Sequence, residues 1–186
     1  YDRWVSNDLP FNSPEVINAM DVYGQFSRND AYVAGGASSV ATTFFGDAPK
    51  GLFSSPASCM MHRQASFIPA FFPKKGEEVA NGEADFFYFP PFASEDLGNP
   101  VLGAGTLWTM TKDSPATRAF FQFMTEASAH EAWMSQGTFL TAHKGANLDA
   151  YATPALRKQG EIFLNATTFR FDASDLMPGA IGAGAF

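Results

Sequence analysis

Helix starts written as Ser-Pro or Thr-Pro constrain this chain more than any other feature. Ser13-Pro14, Ser114-Pro115 and Thr153-Pro154 each stand directly before a stretch that reads as helix. A Ser or Thr hydroxyl accepts from a free amide of the first turn, and Pro at the first helical position forfeits no hydrogen bond. After Ser13, the residues Val16, Ile17, Met20 and Tyr23 fall on one face. After Ser114, the residues Ala116, Ala119, Phe120, Phe123 and Met124 repeat at helical spacing. Ser128 and Glu131 have the spacing of a capping box, and Gly137 ends that helix. Between these helices lie apolar runs too short for anything but strands. Residues 59–61 read as a buried strand followed by a helix opening near Arg63, and "DFFYFPPF" as a buried strand stopped by Pro90-Pro91. "PVLGAGTLWTM" reads as two short strands about a glycine bend, and "FRF" as one more. Gly35-Gly36 is a break, "FPKKGEEVANGEAD" a surface loop and "TFLTAHKGAN" a connector. Short strands alternating with capped helices define an α/β fold class.

Charge and composition exclude several functions. The net charge of −7 repels phosphate backbones, so no nucleic-acid partner is expected. No apolar run approaches the roughly 20 residues of a membrane span. One cysteine, Cys59, permits no internal disulfide, and its apolar neighbours make it a buried small hydrophobe rather than a nucleophile. The histidines at 62, 130 and 143 lack ligand spacing, so neither a metal nor a cofactor is expected. "HEAWM" starts as a zinc-protease motif but has Met134 where the second His must stand, which leaves His130 as a solvated helix residue. "GAGTLW" starts as a dinucleotide fingerprint but carries Trp108 at the third Gly position.

One polar cluster is unusual. In "MMHRQASF", His62, Arg63 and Gln64 follow an apolar run and precede Phe67. Such a set can line a cleft, with donors for hydroxyls and a ring for stacking. Equally, Arg63 can simply pair with a carboxylate at a domain edge. Trp108 is a core residue unless it sits at a strand end, where it becomes a ligand platform.

Taken in order, "YDRWVSNDLPF", "KGLFSSPASCMMHRQASFIPAFF", "ADFFYFPPF", "NPVLGAGTLWTMTKDSPATRAFFQFM", "AHEAWMSQGTFLTAHKGAN" and "RKQGEIFLNATTFRFDASDLMPGAIGAGAF" run through nearly the whole chain. In these segments the chain resembles the extracellular solute-binding proteins of carbohydrate ABC importers, the group typified by maltose-binding protein, and most of all the α-glucoside-binding members. The resemblance implies a two-lobed α/β protein of the periplasm that holds an oligosaccharide between its lobes and delivers it to a membrane permease. It implies no catalysis. Residues 1–84 would form the first part of the second lobe. Residues 85–143 would be the returning part of the first lobe with hinge strands, and 144–186 the second lobe continued. The implied contacts are His62, Arg63, Gln64 and Phe67, with Thr106 and Trp108 from the first-lobe side. Maltose-binding relatives often carry a Trp soon after the strand that here reads "CMMH", whereas this chain has Ser66 and Phe67, which tells against maltose itself.

The chain opens on "YDRWV" without Met and ends on "GAIGAGAF", which reads as the start of a buried helix. It is therefore expected to be an internal piece of a longer protein, poorly soluble alone because sheet edges and apolar helix faces would be bare. Two other functions stay open on the residues themselves. A sugar-processing hydrolase would return cleaved sugar, and a structural or adhesive fragment would bind no small ligand saturably.

Overall fold

The computed structural model describes residues 1–92, 96–137 and 139–181. The helices are α1 (Asp2–Val5), α2 (Pro14–Ser27), α3 (Glu77–Ala80), α4 (Pro115–Phe123), α5 (Ala127–Met134), α6 (Pro154–Leu164) and α7 (Ala173–Leu176), and the strands are β1 (Pro100–Gly103) and β2 (Thr168–Phe171). The fold is mixed helix and strand, divided into two compact units, Tyr1–Gly76 and Glu77–Phe186.

The three hydroxyl-Pro helix starts form as read. Ser13 accepts from the Val16 amide, Ser114 from Thr117 and Thr153 from Leu156, with Pro in the first turn each time. Replacing such a cap by Ala costs about 1 kcal/mol. The capping box at α5 does not form. The helix begins at Ala127 with Glu126 as its cap, which places Ser128 inside it. The Glu131 carboxylate instead accepts from the Asn147 amide at 2.8 Å. Gly137, at φ 90°, ends this stretch in the left-handed region where a side chain is strained.

The strands are where expectation and structure part. β1 and β2 pair in parallel, Pro100 opposite Thr168 through Gly103 opposite Phe171. Gly98, at φ 64°, lets the chain enter this pair, because a Cβ there would lie 2.6 Å from Thr167 Oγ1. "PVLGAGTLWTM" thus supplies one strand rather than two, and residues 104–110 are irregular. Residues 59–61 form no strand, with Met60 83% exposed and Met61 74%. No helix opens at Arg63 either, and a 3-10 turn follows at Ile68–Phe71. "DFFYFPPF" is extended but unpaired. It alternates, with Phe86 and Tyr88 half-buried and Phe87 and Phe89 exposed, and Tyr88 Oη donates to Pro100 O at 2.5 Å. Apolarity marked these runs, but a strand also needs a partner edge. The polar stretch 72–85 is more than a surface loop, since it carries α3, whose Glu78 is buried at 1% exposure. The segment read as the start of a terminal helix largely lies outside the described residues, at 182–186.

The core of the second unit is Met134, Ala146 and Tyr151, with Phe139, Leu140, Leu148 and Leu156 packed against it. A polar network borders this core and involves His130, which is not a solvated residue. Its Nε2 meets Met124 O at 3.0 Å, so Nε2 carries the proton, and Nδ1 accepts from Thr141 Oγ1 at 2.9 Å. Thr141 is fully buried and its hydroxyl also accepts from the His143 amide at 2.9 Å, while its own amide donates to Tyr151 Oη at 3.0 Å. Burial pushes the Tyr151 phenol up, and the Thr141 amide opposes that. Thr141→Val leaves one half-buried acceptor and one half-buried donor unmatched, and chemical denaturation is expected to show a loss of about 1 kcal/mol. A loss within about 0.5 kcal/mol would show that water replaces the hydroxyl.

Candidate functional site

In the first unit, the candidate residues occupy an irregular segment anchored at its far end. Residues 61–65 have no regular structure, and the 3-10 turn Ile68–Phe71 then buries Ile68. His62 is half-buried, whereas Arg63 and Gln64 are exposed. The Gln64 side chain accepts from the neighbouring Ala65 amide at 2.9 Å. His62 Nε2 is shielded from solvent and has no hydrogen-bond partner. Burial holds its imidazole below the ordinary pKa, so the ring is neutral near pH 7 and presents one donor and one acceptor. The pairing of Arg63 with a carboxylate is not seen among the described residues, where it makes no ion pair. Its guanidinium fork faces solvent, a geometry suited to two adjacent oxygens.

Phe67 does not act alone. It lies 5.8 Å from Phe45 and 6.2 Å from Phe71, centroid to centroid, and Phe44 and Phe45 are 4.4 Å apart. Sequence reading passed over Phe44, Phe45 and Phe71. The signal was the recurring Phe-Phe pair, at 44–45 and again at 71–72. Cys59, nearby in sequence, has a thiol pushed up by burial, which keeps it protonated and a poor nucleophile.

In the second unit, Thr106 and Trp108 lie beyond the end of β1, both exposed. The Trp108 ring stands 5.5 Å from Phe120 of α4 and 5.8 Å from Trp133 of α5, with about half its surface free. It is neither core nor strand. No sequence pattern pointed to Trp133 beside it, because the contact joins an irregular segment to a helix well separated from it along the chain. The apolar face of α4 is likewise open, with Phe120 and Phe123 at 43% and 53% exposure. A separate open depression of about 340 Å³ is lined by Leu148, Asp149, Tyr151, Thr153, Pro154 and Arg157. Its Arg157 is already held by Asp149 and Glu161, so no charge there is free for a ligand.

Among the described residues no group of three His, Cys, Asp or Glu could hold a metal ion, and no helix is long and apolar enough to cross a membrane. What the candidate segments offer is hydrogen bonding and ring faces.

No family model matches the chain, and no solved structure matches it. Two curated proteins do. The alpha-glucosides-binding periplasmic protein AglE of Rhizobium meliloti (strain 1021) is 60% identical over 187 residues, covering 100% of this chain and 40% of that protein. The osmoprotective compounds-binding protein GgtB of Synechocystis sp. is 40% identical over 186 residues, covering 100% of this chain and 43% of that protein. The chain thus spans about two-fifths of the length of the curated relatives it matches. Both relatives are named as binding proteins rather than enzymes. The α-glucoside-binding resemblance read from the sequence agrees with the first of them, and the similarity along the whole chain is to solute-binding proteins.

Proposed function

We propose that the full-length protein is the periplasmic substrate-binding component of an ABC importer for an α-glucoside or related oligosaccharide. The observation that carries this reading is the 60% identity, along the whole chain, to an alpha-glucosides-binding periplasmic protein. On this reading the sugar is held between two α/β lobes, with residues 1–84 and 144–186 in one lobe and 85–143 in the other. Arg63 forks onto adjacent hydroxyls, His62 and Gln64 add further hydrogen bonds, and Phe67 gives a ring face. Thr106 and Trp108 supply a second group of contacts. A ligand that touches both lobes favours the closed state, because only there are both sets of contacts made. The closed form then docks on the membrane permease, and the sugar leaves unchanged.

A second reading follows from the relative named for osmoprotective compounds, at 40% identity, and takes a small osmoprotectant as the ligand. The higher identity favours the α-glucoside.

Calorimetric titration of the full-length gene product with maltose, trehalose, sucrose and a longer maltodextrin tests the proposal, each mixture being analysed afterwards for cleavage. Saturable binding with intact sugar is expected. Arg63→Ala is expected to weaken that binding about tenfold or more, the scale of losing a charged hydrogen-bond donor. Cleaved sugar would mean a hydrolase, and no heat with any of them would sink the α-glucoside reading.

A further inference from the structure

Trp108 stands in a stretch whose backbone does little to hold it. Residues 104–110 are irregular, and among the described residues 105–112 form no hydrogen bond. The indole is placed by ring contacts instead, at 5.5 Å from Phe120 and 5.8 Å from Trp133. The two neighbours are not equal supports. Phe120 is itself 43% exposed and meets, besides Trp108, its own chain neighbour Phe121 at 6.1 Å. Trp133 is tied to the core. It directly precedes the fully buried Met134 in α5 and meets Phe139 edge-to-face, at 5.0 Å and 67°. Phe139 in turn packs against the core of Met134, Ala146 and Tyr151. The Trp133 contact is also the flatter of the two on Trp108, at 32° against 52° with Phe120. A line of rings thus runs from the core through Phe139 and Trp133 to Trp108.

A ring that stacks on a sugar serves best when it is held before the sugar arrives. Ordering it during binding would subtract from the affinity. The backbone around Trp108 supplies no such restraint, and the line of rings does. We infer that Trp133 is a positioning residue, which fixes the Trp108 indole from the core outwards in the orientation that meets the sugar. This rests on the reading of Trp108 as a sugar contact in an α-glucoside binder. Trp133 acts through Trp108 and not on the sugar.

The test titrates the full-length protein and its variants with maltose, trehalose, sucrose and the longer maltodextrin, and records far-ultraviolet circular dichroism. Trp133→Leu is expected to weaken sugar binding about fivefold, the scale of ordering one side chain on binding, and Trp133→Phe, which keeps a ring there, to restore affinity to within about twofold. In a Trp108→Ala background, Trp133→Leu is expected to have no further effect, because the two residues act as one unit. The calorimetric stoichiometry gives the folded fraction, so a loss of folded protein does not mimic a loss of affinity. Two indoles this close couple their transitions. The wild-type spectrum is expected to contain an exciton couplet that disappears in both Trp108→Phe and Trp133→Phe, although the latter still binds. Unchanged affinity in Trp133→Leu would overturn the inference. So would an undiminished loss in the Trp108→Ala background, by putting Trp133 on the sugar directly or on the fold at large. Absence of the couplet would overturn it too, by showing the indoles apart in the full-length protein. Unchanged affinity in Trp108→Ala would remove Trp108 from the site, and this inference with it, while sugar binding stood. Binding of none of the four sugars by the wild-type protein would overturn the underlying reading itself.

Discussion

Met134→Ala is expected to lower the stability of the second unit by about 3 kcal/mol, within the roughly 2–5 kcal/mol of large-to-small core substitutions. Met134 is fully buried at the end of α5, against Ala146 and Tyr151, with Phe139, Leu140 and Leu148 around them. Few side chains in this unit are so completely enclosed, so its core is small and little else can close over a cavity. The Met134 carbonyl also accepts from the Gly137 and Ala152 amides, both at 3.3 Å, which ties the helix end to the turn before α6. Met134→Leu keeps the volume and is expected to cost less than about 1.5 kcal/mol. Urea denaturation of the wild-type protein and the two variants, with hydrogen exchange across residues 127–156, provides the comparison. If Ala and Leu behaved alike, and exchange in that stretch stayed slow, the cluster would not be the core of the unit.

Gly160→Val is expected to cost about 3 kcal/mol, the upper part of the usual range for overpacking. Gly160 lies in the middle of α6, where glycine itself is worth about 1 kcal/mol less than alanine. On propensity alone a substitution would help. Packing decides otherwise, because a Cβ at this position would stand 2.5 Å from Tyr151 Cε2 and 2.9 Å from its Oη. The Tyr151 ring cannot swing aside freely, being 8% exposed and bonded through Oη to the Thr141 amide. Val also brings a branched side chain that crowds the preceding turn. The two sites touch, so their effects should not add. Tyr151→Leu combined with Gly160→Val is expected to be more stable than the sum of the separate losses predicts, as thermal melts of all four proteins would show. Strict additivity would mean that the helix shifts away from the ring without strain.

Much of the candidate site was legible as residue types and little of it as arrangement. "MMHRQASF" marked His62, Arg63, Gln64 and Phe67 because hydrogen-bonding side chains next to a ring are unusual in an apolar stretch. Phe67 meets Phe45, some 20 positions earlier, a contact that no local pattern connects. Trp108 was read as either core or platform, and its contacts with Phe120 and Trp133 decide that it is half-exposed and backed by two helices. His130 was misjudged for the same reason. Helical position suggested solvent, but Thr141 and Met124 reach both ring nitrogens from outside the helix.

By itself the sequence determined the starts of α2, α4 and α6 and the likeness to solute-binding proteins. A cap is local, since the hydroxyl of Ser114 needs only an amide three positions on, at 3.1 Å, and no other part of the chain must be in place. Tertiary structure alone decided which apolar runs became strands. β1 formed because the chain returns to it 68 residues later, where the Asn99 amide donates to Thr167 Oγ1 at 2.8 Å and the ladder follows. Residues 59–61 and 86–89 are as apolar as β1 but meet no edge. Pairing and burial depend on what lies alongside in space, and a backbone amide gains a ladder only from a strand that arrives from elsewhere in the chain.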